Sequence, residues 1–240
     1  MIARVLLAAV IAGMIAGAAA TAVQMWRVVP LILQAETFET AGSGHSHAAT
    51  PGAGDRHETG SGGHVHETEP WAPADGLERS LFTFLANVVT GAAFALLLTA
   101  AVMFTGRDIN AASGFVWGVL GFVVFVLAPT AGLAPELPGM PAAELVARQS
   151  WWWATVAATA GGIALIVLVS KWPARLLGGV LIAAPHIIGA PQPESHESLV
   201  PASLAAEFAA ASLASMALFW IILGVSVGWL LARVRSQPAA

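Results

Sequence analysis

Residues 80–106 read SLFTFLANVVTGAAFALLLTAAVMFTG, and none of them is charged. A helix needs about 20 apolar residues to cross the hydrocarbon core of a bilayer, and this stretch exceeds that length. Working outward, the same absence of charge recurs over residues 5–24, 109–135, 149–170, 176–193 and 208–232. Across the whole chain 57% of residues are hydrophobic and 10% are charged. A water-exposed surface carries roughly 25% charged residues, so the composition excludes an ordinary soluble domain. The expected fold is all-α: a polytopic helical membrane protein of six, or alternatively five, transmembrane helices.

The expected organisation is a first transmembrane helix over 1–34 and an external His-rich loop without fixed structure over 35–79. A membrane bundle over 80–235 follows, with spans near 80–105, 111–129, 150–170, 175–189 and 203–232, and then a tail over 236–240. The fifth span is the weak one, because Pro185, His186, Pro191 and Pro193 crowd its end. Charge argues for keeping it. With six spans and the N-terminus inside, Arg4, Arg107, Lys171, Arg175, Arg233 and Arg235 fall on the cytoplasmic side with Asp108 as the one acid. Arg27, Arg56, Arg79 and Arg148 fall outside with the remaining acids. The positive-inside rule favours that orientation, with both termini cytoplasmic in a bacterial inner membrane and the His-rich loop periplasmic. Arg4, the run behind it and Ala18-Ala19-Ala20 also resemble a cleavable signal, but apolar character resumes through Val28-Val29 and Leu31-Ile32-Leu33.

Ala128-Pro129 through Pro135-Glu136 is similar to Ala184-Pro185 through Pro193-Glu194, and Pro30 precedes Glu36 in the first span. This pattern raises the expectation of three repeated helical hairpins, formed by successive pairs of spans. Internal repeats with binding at interrupted helices are common in transporters.

Five of the seven histidines lie between residues 45 and 66: His45, His47, His57, His64 and His66. His45 with His47, and His64 with His66, are spaced so that an extended backbone puts each pair on one face. Two neutral imidazoles can share an ion, and imidazole suits Co, Ni, Cu and Zn without choosing among them. The alternative is a polar linker in which histidine is incidental. The chain has no cysteine, so thiolate metal sites and disulfides are excluded. His186 sits near the outer end of an apolar span, where an ionisable group is costly and is a functional candidate. Glu194 and His196 follow in the next loop. Glu36 and Glu39 share one helix face and could attract cations or pair with Arg27. The sequence contains no P-loop, nucleophile elbow or HExxH motif, so no enzymatic role is expected.

Several segments together resemble the CbtA family, proposed cobalt transporter subunits of bacteria. They are Val28-Val29-Pro30-Leu31-Ile32-Leu33-Gln34-Ala35-Glu36, Gly114-Phe-Val-Trp-Gly118, Leu133-Ala-Pro-Glu-Leu-Pro-Gly139, Arg148-Gln149-Ser-Trp151-Trp152, Ala184-Pro185-His186-Ile-Ile-Gly189 and Val200-Pro201-Ala202-Ser-Leu204. The resemblance implies an integral membrane subunit of cobalt uptake, associated with cobalamin synthesis, working beside a small single-span CbtB-like partner. The family is usually described with about five spans. The expected function is uptake of a divalent transition metal, cobalt first and nickel or zinc as alternatives, as a bound or carried ion and not a permanent cofactor. The loop would capture the ion, and Glu36, His186 and Glu194 are candidates for an outer entry site. A non-transporting metal-binding accessory or sensor protein is the competing reading. The bilayer and a homo-oligomer are further expected partners, and nucleic acid is not.

Overall fold

The structure is a computed structural model, and it describes residues 2–43, 73, 74 and 76–236. All regular structure among these residues is helical. Helix α1 (Ile2–Val23) runs through a π turn (Gln24–Val28) into α2 (Val29–Ser43), and α3 spans Leu77–Phe104. Helix α4 (Ala111–Phe122) runs through a second π turn (Val123–Leu127) into the short α5 (Ala128–Thr130). Helices α6 (Leu145–Leu168), α7 (Trp172–Ile188) and α8 (Ala202–Ser236) complete the chain.

Among the described residues five stretches are long and apolar enough to cross a membrane: Ile2–Phe38, Leu77–Phe104, Ala111–Thr130, Leu145–Leu168 and Ala202–Ser236. Helix α7 is apolar but has only 17 residues. At a rise of about 1.5 Å per residue it is about 26 Å long, a few ångströms short of a bilayer core of about 30 Å. Among the described residues the count is therefore five helices long enough to span and one apolar helix that falls short. Helix continues from α1 as far as Ser43, past residue 34, where the first span was expected to end. Ala35 is fully buried, so packing as well as propensity carries the helix onward.

Close packing follows glycine. Gly13 and Gly17 of α1 lie against the backbone of Asn87, Gly91 and Ala92 of α3, with no room for a Cβ. Gly114 and Gly118 of α4 meet Gly224 of α8 in the same way, and Gly162 of α6 meets Gly178 of α7. Without a hydrophobic drive between helices in lipid, such small-residue faces let backbones approach and gain dispersion contacts. In each pair residue numbers rise on one helix as they fall on the other, so the pairs are antiparallel. Helix α1 also packs along α8.

Of the three successive hairpins expected, the first is present as α1 against α3, while the main partners of the later spans differ. The third span packs mainly on α8 and touches α6 only through its π turn and α5, and α7 packs on α6. Glycine register pairs α4 with α8 across the chain, while the α1–α3 and α6–α7 pairs join successive apolar helices. Internal similarity persists in another form, since each π turn closes two residues before a proline, Pro30 or Pro129. A proline has no N–H to donate, which suits the place where the hydrogen-bond register shifts. Pro185 lies inside α7, where no π turn forms.

The alternation of spans gives the bundle a proline end, carrying Pro30, Pro129 and Pro185, and an opposite basic end. At the basic end Arg235 donates from Nη1 to Asp108 Oδ1 at 3.3 Å. At the proline end Val28, Leu31 and Ala35 gather with Leu137, Val200, Leu204 and Phe208 in a second apolar cluster. That cluster ties α2 to both long connections, 131–144 and 189–201.

Candidate functional site

His45, His47, His57, His64 and His66 lie outside the described residues. Glu39 belongs to α2, and its side chain is also outside the described set. The other sequence candidates all fall at the proline end. Glu36 accepts at Oε1 from Arg79 Nη2 at 2.8 Å, with both side chains about one-third exposed. His186 is exposed on the last turn of α7, with its ring edge-on to Trp151 at 5.9 Å between centroids. Trp151 Nε1 donates to the Pro185 carbonyl at 3.3 Å, which fixes the end of α7 against the start of α6. Glu194 and His196 are exposed in the connection that follows. Among the described residues no three His, Asp or Glu side chains come together as a metal-sized group.

The structure does bring Glu194 toward a carboxylate that sequence reasoning missed. An open depression of about 490 Å³ is lined by Pro141–Glu144 on one side and by Gln192, Pro193, Glu194 and Ser195 on the other. Glu144 is the N-cap of α6 and accepts from the backbone N–H of Val146 at 2.8 Å and Ala147 at 2.7 Å. Those two hydrogen bonds hold its carboxyl below the usual carboxylate range. A cap followed by an apolar run was readable in the sequence; its position opposite Glu194 was not. Two carboxylates and an amide line this open depression, and hard oxygen groups of that kind attract hydrated cations without stripping their water.

Polar groups also occur inside the bundle. Asn87 Nδ2 on α3 donates to Thr21 Oγ1 at 3.0 Å and to Gln24 Oε1 at 2.7 Å, at the start of the first π turn. Thr21 in turn donates to the Gly17 carbonyl at 2.9 Å. The signal for these residues was two amides within otherwise apolar runs. Beside them lies an aromatic cluster. The second π turn carries Phe125, which stacks on Trp220 at 5.5 Å and meets Phe94 at 5.1 Å and Trp152 at 6.4 Å.

A family model described as "probable cobalt transporter subunit (CbtA)" matches residues 2–232, nearly the whole chain. The chain belongs to the CbtA family. No curated protein matches it, and no solved structure does. As a CbtA-family chain it is a multi-pass membrane protein and a metal-transporter subunit, and the family is not one of enzymes. For a CbtA protein the arrangement is informative in two ways. Acidic oxygens stand at one end of the bundle, where a cation could be gathered. The middle is filled by Phe94, Phe125, Trp152 and Trp220, whose rings offer no donor atoms to replace a divalent ion's water.

Proposed function

We propose that this chain is the membrane-embedded subunit of a bacterial uptake system for a divalent transition metal, with cobalt as the leading ion. The observation that carries the reading is the family match across residues 2–232. In this reading the proline end faces the periplasm and both termini are cytoplasmic. The imidazoles of His45, His47, His57, His64 and His66 capture the ion, because paired imidazoles bind such metals where carboxylates alone do not discriminate. Glu144 and Glu194 then hold it loosely at the mouth, and His186 and His196, exposed at the same end, are the further donors. A weak second site suits transport, since an ion must leave as readily as it enters.

The aromatic centre favours a subunit that conducts beside a partner over one that conducts alone. A desolvated divalent cation needs polar groups along its whole path. The small single-span CbtB-like protein of the family resemblance, or a second copy, would supply them at an interface.

The test is ⁵⁷Co²⁺ flux into proteoliposomes, with Ni²⁺ and Zn²⁺ as competitors. One set holds the intact chain with its co-purifying partners, and another a deletion of residues 43–69. Saturable uptake, with a higher half-saturating concentration after the deletion, is the expected result. Flux equal to that of protein-free vesicles would end the proposal, and flux by the purified chain alone would remove the need for a partner.

A further inference from the structure

Next to the depression that holds Glu144 and Glu194 stands a charged pair outside its lining. Arg148 Nη2 lies 3.2 Å from Glu136 Oε2, with the two side chains 34% and 25% exposed. Arg148 is on the first turn of α6, and Glu136 is in the connection 131–144 that leads into that helix. The backbone N–H of Arg148 donates to the Glu144 carbonyl at 3.0 Å, so the arginine sits one helical turn beyond the cap.

Residues four apart on a helix are neighbours, and a glutamate four places ahead of an arginine is the favoured order for an ion pair. Glu144 and Arg148 have that spacing, yet Arg148 turns to Glu136. Glu144 accepts instead from the N–H groups of Val146 and Ala147. Those two hydrogen bonds, and not a guanidinium, hold its carboxyl low. The difference bears on cation binding. Backbone N–H groups bring only the partial charge of a helix N-terminus to the carboxylate. A full positive charge set against it would cancel its own and repel a divalent ion arriving in the depression. Glu136 itself does not line the depression.

We propose that Glu136 is a positioning residue for cation binding: it holds the Arg148 guanidinium away from Glu144 and so keeps the Glu144 carboxylate open to a hydrated divalent cation. The proposal rests on the reading of the depression as the outer cation site and deepens it. Without Glu136, Arg148 is free to swing back along α6 onto Glu144. A partly exposed ion pair contributes little to stability, so the effect shows in cation binding and not in unfolding.

The experiment uses Mn²⁺ as the probe. This ion is paramagnetic and stands lowest in affinity among the first-row divalent metals, with a preference for oxygen, so it reports carboxylates ahead of imidazoles. The chain has no cysteine, and Leu145 is exposed beside Glu144 without lining the depression. A fluorophore on Leu145→Cys in the full-length protein, quenched by Mn²⁺, gives a half-quenching concentration for each variant. Glu136→Gln should raise that concentration several-fold with an unchanged unfolding midpoint. Arg148→Gln alone should leave it nearly unchanged, and Arg148→Gln added to Glu136→Gln should return it to the starting value. No effect of Glu136→Gln, where Glu144→Gln does raise the concentration, would remove the positioning role and leave the depression standing. Arg148→Gln alone strengthening binding by the factor that Glu136→Gln weakens it would show two independent, additive charges and overturn the proposal. A rise that Arg148→Gln does not reverse would overturn it too, by making Glu136 a ligand. No effect of Glu144→Gln would instead end the reading of the depression as a cation site, and the positioning role with it.

Discussion

Glu36 and Arg79 join the two ends of the His-rich segment: Oε1 lies 2.8 Å from Nη2, across a sequence gap of 43 residues. The pair thus anchors the segment at both its exit from α2 and its return into α3. Both side chains are partly exposed, and such pairs contribute only about 0–1 kcal/mol. A double-mutant cycle with Glu36→Gln and Arg79→Gln, read by thermal unfolding in detergent, should give a coupling of at most about 1 kcal/mol. Metal uptake should fall little in either variant. A large loss in Glu36→Gln with normal stability would instead make Glu36 a metal ligand.

Glycine packing gives a sharper contrast. A Cβ at Gly224 would collide with the backbone of Gly114 and Gly118, whereas one at Gly179 meets open space. Gly224→Ala should therefore destabilise by about 1–3 kcal/mol, the usual range for overpacking. Gly179→Ala should be neutral or stabilising by up to about 1 kcal/mol, since alanine orders a helix at lower entropic cost. Unfolding midpoints of the two purified variants decide the matter, and equal effects would refute the packing account.

The amide network predicts an intermediate effect. Asn87→Leu removes both hydrogen bonds across the α1–α3 contact, and interhelical bonds of this kind in membranes are worth about 0.6 kcal/mol on average and up to about 1.7. A loss within that range is expected, with uptake kinetics measured beside it. A fully folded variant that no longer transports would move Asn87 from structural glue to the ion path.

Much of this fold was legible because a bilayer imposes a rule that any six charge-free stretches reveal. Residues 80–106 could hardly be anything but a span, and Arg107, Lys171 and Arg233 marked where spans end. The pairing of helices was not legible. Gly114 meets Gly224 across more than a hundred intervening residues, and nothing local to either glycine names the other. The same limit governs the site. Glu194 stood out as an acid behind a proline, but Glu144 gained interest only when folding set it across the same depression. Gln24 and Asn87 were visible as polar exceptions, yet only the structure joined them. The shortness of α7 was legible from its prolines, because Pro185 and Pro191 limit how far an α-helix can continue.

The depression should respond to charge and to acid in a defined way. Glu144→Gln with Glu194→Gln removes both carboxylates, so the half-saturating Co²⁺ concentration should rise several-fold while the maximal rate holds. Glu144 titrates below its ordinary value near 4.5, because two backbone N–H groups favour the charged form. Its folded pKa is depressed, so its contribution to stability is complete above the unfolded value and is lost as pH falls through the folded one. Mild acid should thus leave this carboxylate charged. The difference in half-saturating Co²⁺ concentration between the wild type and the double variant should therefore persist at pH 6, and its disappearance there would refute the assignment.

Orientation is the premise on which the capture role stands, and the chain is well suited to testing it. It has no cysteine, so each introduced one reports alone. Ser195 lies at the proline end beside Glu194, and Ser236 closes α8 at the basic end beside Arg235. With the proline end outside, Ser195→Cys should react with a membrane-impermeant maleimide in spheroplasts. Ser236→Cys should react only after permeabilisation. The reverse pattern would put Glu144, Glu194 and the histidines in the cytosol, where they could release or buffer an ion but could not collect one from outside. The positive-inside bias of Arg107, Lys171, Arg175, Arg233 and Arg235 makes the first pattern the one physical chemistry favours.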